Sequence, residues 1–406
     1  MKKMIKMSLA AAMIMGISSV TAQATEIMSN VKAKGEIRAR YENVDADNGK
    51  NDANALTNRL MIGVGADLFG TDFLSAYVEM TDVHALNDNY NSTNNGGGSG
   101  NVQVVADPEQ TRVTQAYIDI KSNGFLLRSG RQMINLDNQR FVGAVGWRQM
   151  PQTFDAFLLS YTGVKNLNLA AVYVSQVNRI FADARNSFET ETVLLNGSYK
   201  VSDALKVTLY DYMISSVSDT YGISLTGKTK LGDAKINYRA EYAVQADASL
   251  ETDNNGKPDA DADYYNLNVG VNMNGILGSI GYEVLSGANA SGSETAFSTP
   301  LATLHGKNGW ADKFLGTPAG GIEDLSFMLG YKSKDLGLFK VVYHDFQADT
   351  GSVGDYGTEI DAVYKNKVPG VKGLVAMLKY ADYDADNYSV DTTKIWFMLD
   401  YKFATN

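Results

Sequence analysis

The feature that most constrains this chain is a two-residue alternation of apolar and polar side chains along most of its length. In residues 31–42, VKAKGEIRARYE, the odd positions are apolar or small and the even positions are charged. Successive side chains on a β-strand point to opposite faces, so this segment has one apolar face and one polar face. The pattern returns in 234–245 and 264–274, and almost no helical periodicity of comparable length follows residue 24. The sequence therefore predicts an all-β protein.

Connection lengths separate a soluble sandwich from a membrane barrel. Eighteen candidate strands begin near residues 31, 56, 73, 109, 125, 152, 167, 188, 205, 220, 234, 263, 276, 325, 337, 357, 372 and 391. Short connections such as 122–124 and 232–233 alternate with long ones such as 82–108 and 286–324. Short periplasmic turns and long extracellular loops are typical of bacterial outer-membrane barrels, which leave no backbone edge unpaired in hydrocarbon. We predict a transmembrane antiparallel β-barrel of about eighteen strands, or of sixteen if the weakest boundaries merge.

The first 24 residues have the pattern of a secretory signal peptide. Three lysines precede an apolar run from Met7 to Val20, and Ala22-Gln23-Ala24 supplies an A-x-A cleavage site. The alternative is a membrane anchor, but the run is shorter than the roughly 20 apolar residues that a spanning helix needs. We expect residues 1–24 to be removed and residues 25–406 to form a single barrel in the outer membrane of a Gram-negative bacterium.

Composition and the last strand indicate the partners. The formal net charge of −10 at pH 7 argues against nucleic acid. The terminal segment 395–403, IWFMLDYKF, places alternating aromatics on one face and resembles the signal that the barrel-assembly machinery reads, although three residues follow Phe403. We expect contacts with outer-membrane lipid and lipopolysaccharide, with this machinery during biogenesis, and with small anionic solutes or a polyuronate.

One short segment resembles a nucleotide-binding loop. Residues 222–229, GISLTGKT, match the pattern of a loop that cradles phosphate, which requires a helix directly after the lysine. Here the alternation continues through the lysine and leads to a turn at 232–233 and another alternating segment. We therefore interpret 222–229 as a barrel strand.

Nothing in the sequence predicts catalysis, a metal or a cofactor. The three histidines, His84, His305 and His344, are scattered, cysteine is absent, and we find neither HExxH nor GxSxG. The acidic segment 252–263 resembles a calcium loop but has Ala262 where the twelfth ligand, a carboxylate, belongs. A solvated surface loop is the better interpretation of that segment.

Arginines are the candidate solute-contacting residues. Several lie opposite the apolar face of a strand, and others lie at or in the loop after the fifth strand. The candidates are Arg38, Arg40, Arg59, Arg131, Arg140, Arg148 and Arg239. Arginine offers a planar fork that suits carboxylates, and rings of basic residues line anion pores. One interpretation is a positively biased lumen, and the other is a lumen in which acids such as Glu36 and Glu42 neutralise the arginines.

Two loops, 135–151 and 286–324, are too apolar to lie in water. Their candidate constriction residues are Phe141, Trp147, Leu304, His305, Trp310 and Phe314. Loops normally run over a surface, so an apolar cluster in a loop needs something to pack against. Either these loops fold into the barrel mouth and narrow the pore, or they pack on lipid or on a partner.

The same two regions carry a family resemblance. Residues 130–156, GRQMINLDNQRFVGAVGWRQMPQTFDA, and 299–325, TPLATLHGKNGWADKFLGTPAGGIEDL, resemble signature segments of the alginate-export-domain family of outer-membrane proteins. The resemblance implies a monomeric eighteen-stranded barrel with a constricted, electropositive lumen that passes a polyuronate. Arg131, Arg140 and Arg148 match the arginines of the first segment, and Asp155 and 309–313 match positions with a structural role.

Three functional hypotheses remain open from the sequence. The first is a porin for small hydrophilic and anionic solutes. The second is an export channel for an acidic polysaccharide such as alginate. The third is a structural or receptor barrel whose loops plug the lumen and bind a partner.

Overall fold

The computed structural model describes residues 27–93, 101–183, 185–250, 259–288 and 295–405, so the predicted signal peptide lies outside the described part. The strands are β1 (Met28–Ala46), β2 (Ala53–Leu68), β3 (Leu74–Ala85), β4 (Gln110–Ser122), β5 (Phe125–Gln132), β6 (Thr153–Tyr161), β7 (Leu167–Asn178), β8 (Ser187–Ser202), β9 (Leu205–Ile214), β10 (Ser218–Leu231), β11 (Ala234–Ala246), β12 (Ala262–Met273), β13 (Ile276–Leu285), β14 (Ile322–Ser333), β15 (Gly337–Gln347), β16 (Asp355–Lys367), β17 (Leu374–Ala385) and β18 (Thr392–Ala404). Each predicted start lies within three residues of the observed one. Across these described ranges, no helix has the length and hydropathy that crossing a membrane would need.

Each strand pairs with its neighbours in the chain, and the first strand pairs with the last. β1 pairs antiparallel with β2 and also with β18, from Lys34 opposite Ala404 to Ala46 opposite Thr392. This last pairing closes the sheet, so no strand edge is left open to hydrocarbon. The predicted eighteen-stranded antiparallel barrel is therefore confirmed, and the sixteen-strand alternative is wrong.

Turn chemistry explains the short connections. At one end of the barrel the connections are two to six residues long, whereas the β3–β4, β5–β6 and β13–β14 loops at the other end are far longer. Asn123-Gly124 and Asn274-Gly275 are two-residue hairpins in which both residues have positive φ. Asn-Gly suits such turns because glycine, and to a lesser degree asparagine, adopts the left-handed conformation at low cost. Following the sequence prediction, we call the short-turn end periplasmic and the long-loop end extracellular.

The outer face of the barrel is apolar around its circumference. Large exposed side chains such as Ile37, Leu209, Leu267, Leu329 and Phe397 come from strands all round the wall. An unbroken apolar outer band is what a barrel in the bacterial outer membrane presents to lipid. The segment 222–229 belongs to this wall, because it lies within β10 and pairs with β9 and β11. No helix follows it, so the nucleotide-loop interpretation is excluded.

The inside of the barrel is occupied by loops that enter from the extracellular end. The main buried cluster joins residues of the β5–β6 loop (133–152) and the β13–β14 loop (286–321) to inner-face side chains of the wall. A second cluster joins the β3–β4 loop (86–109) to β1 and β2. The entry of the β3–β4 loop into the lumen was not predicted from the sequence. Most of the calcium-like segment, residues 251–258, lies outside the described ranges.

Candidate functional site

The β5–β6 and β13–β14 loops contact each other through backbone hydrogen bonds inside the barrel. Val142 forms a parallel bridge with Leu301, and the Gly143 amide donates to the Leu301 carbonyl at 2.9 Å. The Gln152 side chain donates to both carbonyls, at 2.9 Å to Gly143 and 3.1 Å to Leu301. A Cβ on Gly143 would lie 2.2 Å from the Thr303 hydroxyl, so this approach requires glycine. The two loops therefore form one lumenal unit.

An aromatic cluster attaches this unit to the wall. Phe141 is buried among the rings of Tyr210, Tyr212, Tyr264 and Phe297, with centroid distances of 5.2–6.2 Å. Burying large aromatic rings in this way contributes several kcal/mol to a fold, roughly 3–5 kcal/mol by truncation of one Phe. The cluster explains why such apolar residues lie in a loop: they pack against the inner face of β9 and β12 instead of against water.

The second loop has its own anchors. Phe314 lies among the rings of Phe346, Tyr356, Tyr383 and Tyr388, at centroid distances of 4.5–5.9 Å. The backbone amides of Trp310 and Ala311 both donate to the buried carboxylate of Glu359 on β16, the latter at 2.7 Å. Leu304 is half-buried in the same loop. Five of the six predicted constriction residues thus contact inner-face residues of the wall, and Leu304 lies between His305 and the loop residues before it.

Three predicted arginines hold the β5–β6 loop from the β1–β2 wall. The Arg38 guanidinium donates to the carbonyls of Gly146 and Trp147, at 3.1 and 3.3 Å, and Arg40 donates to the Trp147 carbonyl at 2.6 Å. Arg59 donates to the carbonyls of the next two residues, 148 and 149, at 3.4 and 3.3 Å. Each guanidinium has several donors in a fixed plane, so it can bind a loop carbonyl and a carboxylate together. We call these three residues and Arg148 the arginine clamp.

Buried acids neutralise the clamp. Glu36 accepts from Arg59 and lies 3.0 Å from Arg38, while Glu42 lies 3.2 Å from Arg148 and 3.7 Å from Arg40. The remaining acids around the clamp are Asp107, Asp312 and Asp400. Every clamp arginine contacts at least one carboxylate. On the β1–β2 wall, the ion pairs therefore favour the interpretation in which acids neutralise the lumen arginines. Buried pairs of this kind restrict geometry more than they add net stability.

Asp107 in the β3–β4 loop is a lumen residue at the clamp that was not among the predicted site residues. It is fully buried, contacts Arg40, lies 3.7 Å from Arg148 and accepts a hydrogen bond from the Gln149 amide at 2.8 Å. Burial opposes ionisation, but Arg40 and Arg148 outweigh it and hold the pKa of Asp107 below its usual value. Asp107 therefore joins the β3–β4 loop to the β5–β6 loop. The apolar residues Val102 and Val105 beside it were the available signal.

Asp312 joins the β13–β14 loop to the β5–β6 loop through Arg148, as Asp107 does for the β3–β4 loop. Its carboxylate lies 3.2 Å from Arg148, 2.9 Å from Lys394 and 2.7 Å from His305 Nδ1. Burial raises the pKa of Asp312, but His305, Lys394 and Arg148 together lower it well below the usual range. For His305, burial dominates and lowers its pKa well below 6.5 despite Asp312. The pair therefore consists of an aspartate and a neutral imidazole at pH 7.

All three tryptophans of the chain surround one lysine. The Lys379 ammonium on β17 lies 4.3 Å from the Trp147 ring, 3.7 Å from Trp310 and 5.2 Å from Trp396. His305 stacks on Trp147 at 4.2 Å, and its Nε2 lies 2.5 Å from the ammonium as an acceptor. Cation–π contacts of a desolvated ammonium are worth about 2 kcal/mol. Lys379 was not among the predicted site residues, because its partners come from three distant segments and no local pattern marks it.

Two further predicted arginines are paired on the opposite side of the lumen. Arg140 in the β5–β6 loop is buried, lies 3.3 Å from Glu283 and donates to Asn308 at 2.9 Å. Arg239 on β11 binds Glu241 at 2.7 Å through both its Nε and Nη2 atoms. Each is thus neutralised locally.

The predicted lumenal position of Arg131 is wrong. Arg131 lies within β5, and it alternates in phase with Phe125 and Leu127, whose side chains are exposed on the outer face. Its partner Asp155 alternates in phase with the exposed Phe157 on β6, and the two form a bidentate pair at 2.7 and 2.8 Å. β5 continues through Arg131 to Gln132, whereas the sequence prediction placed Arg131 at or in the loop after this strand, and the strand position fixes its face. The alternation from Phe125 onward was the signal that could have placed Arg131 correctly.

In the described ranges, no group of three or more His, Cys, Asp or Glu side chains is arranged so that it could hold a metal ion.

Comparison with known proteins gives one family and one group of structures. The family model described as alginate export matches residues 30–270, more than half of the chain. No curated protein matches the chain in sequence. The crystal structure of OccK1 (OpdK) of Pseudomonas aeruginosa superposes with a TM-score of 0.72 at 14% identity, covering 93% of this chain and 100% of that one.

Two other solved structures are similar to the same extent. OpdO of Pseudomonas aeruginosa gives a TM-score of 0.72 at 13% identity, covering 94% of this chain and 100% of its own. OccAB4 of Acinetobacter baumannii gives 0.70 at 15% identity, covering 93% and 99%. At these identities the similarity establishes the shared barrel fold.

Proposed function

Since the chain belongs to the alginate export family, we propose that it is an outer-membrane channel through which small hydrophilic solutes diffuse, with a preference for anions. The observation that carries this proposal is the combination of barrel size and inward-folded loops. A barrel of about 16–18 strands is too wide for its wall side chains to fill, and such barrels leave an aqueous passage. Here the β5–β6 and β13–β14 loops enter that space and are held by the arginine clamp, so they would set the bore.

The anion preference follows from which charges are free. The clamp arginines are neutralised by Glu36, Glu42 and their neighbours, so they contribute little net field. On the inner wall near the periplasmic end, Lys228, Lys230 and Lys235 form no ion pair among the described residues, so their charges are available to attract anions. A similar barrel, OpdK, has been solved with vanillate, a small organic anion, and this supports the same solute class.

A reversal potential across a salt gradient tests the proposal. The mature protein, refolded and inserted in a planar bilayer, should conduct and should give a reversal potential on the anion-selective side in potassium chloride. Cation selectivity would contradict the anion preference, and a protein that inserts but never conducts would contradict the channel itself. Migration of the unheated barrel on a denaturing gel would show that the tested protein is folded.

Export of an acidic polysaccharide is the second candidate, and family membership favours it. The same bilayer distinguishes it from general diffusion when short oligouronates are added to one side. Concentration-dependent current block at micromolar levels would indicate a carboxylate-binding path for a polymer. Absence of block at millimolar levels would leave the small-solute channel as the better description.

A further inference from the structure

The inner wall formed by β8 to β11 has a dense group of lysines at its periplasmic end. Alternation places their side chains on the lumen face, in phase with inward residues such as Asn196, Thr208 and Ser224. We call this group the lysine shelf. Its members are Lys200 on β8, Lys206 on β9, Lys228 and Lys230 on β10, and Lys235 on β11. Lys228 is the lysine of the segment that resembles a nucleotide loop.

Strand register brings like charges directly opposite each other in the shelf. Lys200 pairs with Lys206 across β8 and β9, and Lys230 pairs with Lys235 across β10 and β11. Like charges directly opposite on a sheet destabilise it. Two such pairs on adjacent hairpins are therefore an unfavourable arrangement that the fold retains, and a bound anion would relieve it.

Acidic neighbours offset only part of this charge. Lys200 lies 2.5 Å from Asp203, and Lys206 lies 3.9 Å from Asp137. Among the described residues, no ion pair involves Lys228, Lys230 or Lys235. Three ammonium groups thus remain free for a ligand, in contrast to the arginine clamp.

The hairpin of β10 and β11 gives the shelf its shape. β10 pairs with β9 only as far as Thr226 opposite Lys206, whereas it pairs with β11 as far as Leu231 opposite Ala234. The β10–β11 hairpin therefore extends beyond the turn at 203–204. A groove of about 1230 Å³ lies at this notch in the barrel rim; its lining includes all five lysines and also the outward-facing Thr229, Ile236 and Tyr238. Asn237 and Asn272 add uncharged hydrogen-bonding groups to its lining.

We propose that the lysine shelf is a binding site for compact multivalent oxyanions that arrive from the periplasmic side. Neighbouring strands lie about 5 Å apart and alternate residues about 7 Å apart, so the ammonium groups match an anion whose charges are spread over that distance. Lysine presents a mobile point charge with no preference for planar bidentate partners, so both tricarboxylates and polyphosphates fit. The proposal rests on the channel function only for its electrical readout.

Side-specific block of current tests the shelf. Citrate or tripolyphosphate would be added to one chamber and then to the other, with chloride as the conducted ion. Because the chain has no cysteine, a single Val164→Cys substitution in the exposed β6–β7 turn would report the periplasmic side through a membrane-impermeant thiol reagent and leaves the shelf unchanged. We expect block from the periplasmic chamber. The triple variant K228S/K230S/K235S should raise the half-blocking concentration about tenfold or more, since three Coulombic attractions are lost.

Two control variants keep the test specific. K228R/K230R/K235R keeps the charge and should retain block within about threefold. K332S/K365S/K367S removes three inner-face lysines near the periplasmic end of β14 and β16 and should shift block by no more than about twofold. Removing like-charge pairs should not destabilise the barrel, and heat-modifiable gel migration would check its folding. Comparison of citrate with tripolyphosphate identifies whether carboxylate or phosphate binds better.

The outcomes separate this inference from the channel proposal. If K228S/K230S/K235S and the control K332S/K365S/K367S lost block equally, a local binding site would be overturned. The block would then come from the summed positive charge around the periplasmic mouth of the pore. Block from the extracellular chamber alone would overturn the periplasmic assignment. An open channel that neither anion blocks would overturn the shelf and leave the channel function intact, whereas a silent folded barrel would contradict the channel function. In that last case, binding of tripolyphosphate to the detergent-solubilised barrel by calorimetry would still decide the shelf.

Discussion

The arginine clamp and the lysine shelf carry similar numbers of positive charges on opposite walls of one lumen, yet they are used differently. Every clamp arginine contacts an acid, and three of the four also donate to loop carbonyls. In the shelf, three of the five lysines have no ion pair in the part of the chain that the structure describes. The clamp is therefore an internal structural element, whereas the shelf is accessible to solutes.

The difference follows from the chemistry of the two side chains. A guanidinium can satisfy a carboxylate and a backbone carbonyl in one plane, which suits a buried junction between loop and wall. An ammonium on a flexible stem is strongly hydrated and suits transient contact with passing anions. A positive charge in the sequence of a barrel therefore does not by itself indicate selectivity, because its partners decide what it does.

Removing part of the β13–β14 loop should have the largest effect. Deletion of 302–318 removes Trp310 and Phe314 together with Asp312, which Arg148 binds. Single-channel conductance should rise several-fold because the loop no longer occupies the lumen. A folded variant that is as silent as its parent would instead support the structural or receptor hypothesis.

Breaking the clamp should cost stability, and the outer face supplies a matched control. Arg148→Ala leaves Glu42, Asp107 and Asp312 without their shared partner, so unfolding free energy should fall by about 3–5 kcal/mol. Arg131→Ala breaks a partly exposed pair with Asp155 and should cost about 0–1 kcal/mol. Urea unfolding followed by tryptophan fluorescence measures both, and equal losses would contradict the distinction between buried clamp and outer pair.

Selectivity should respond to free charges and not to neutralised ones. K228S/K230S/K235S should shift the reversal potential towards cations, because three unpaired charges leave the lumen wall. The double substitution Arg239→Gln with Glu241→Gln removes a closed pair and should leave the reversal potential unchanged. If the double substitution shifted the reversal potential more than the lysine triple variant does, Arg239 and Glu241, and not the three lysines, would be the residues that set ion selectivity.

Alkaline pH should weaken anion preference by a smaller amount. Burial, reinforced by repulsion from Lys394, lowers the pKa of Lys313 to about 8. Lys313 is therefore mostly charged at pH 7 and mostly neutral at pH 9, so the anion-to-cation permeability ratio should fall across that window. Lys313→Arg keeps its charge throughout and should flatten this part of the pH profile, whereas an unchanged profile would exclude Lys313 as the titrating group.

Much of the barrel wall was predictable from the two-residue alternation of apolar and polar side chains. Side chains on a strand in a barrel meet lipid or lumen in strict turn, so strand starts and the phase of Arg38, Arg40 and Arg59 follow from local sequence. Arg131 was predictable by the same rule once β5 was extended to Gln132. The inward direction of the β5–β6 loop followed from residues such as Phe141, which need an apolar environment.

The sequence by itself determined strands, turns and the faces of the wall, because these depend on neighbours one or two residues apart. Only the tertiary structure decided which charges are free. Arg40 meets Asp107 across 67 positions and Arg148 meets Asp312 across 164, and these contacts exist because closure of the barrel brings loops and wall together. In the part of the chain that the structure describes, Lys228, Lys230 and Lys235 form no ion pair, since pairing register, and not composition, sets which side chains lie within Coulombic reach.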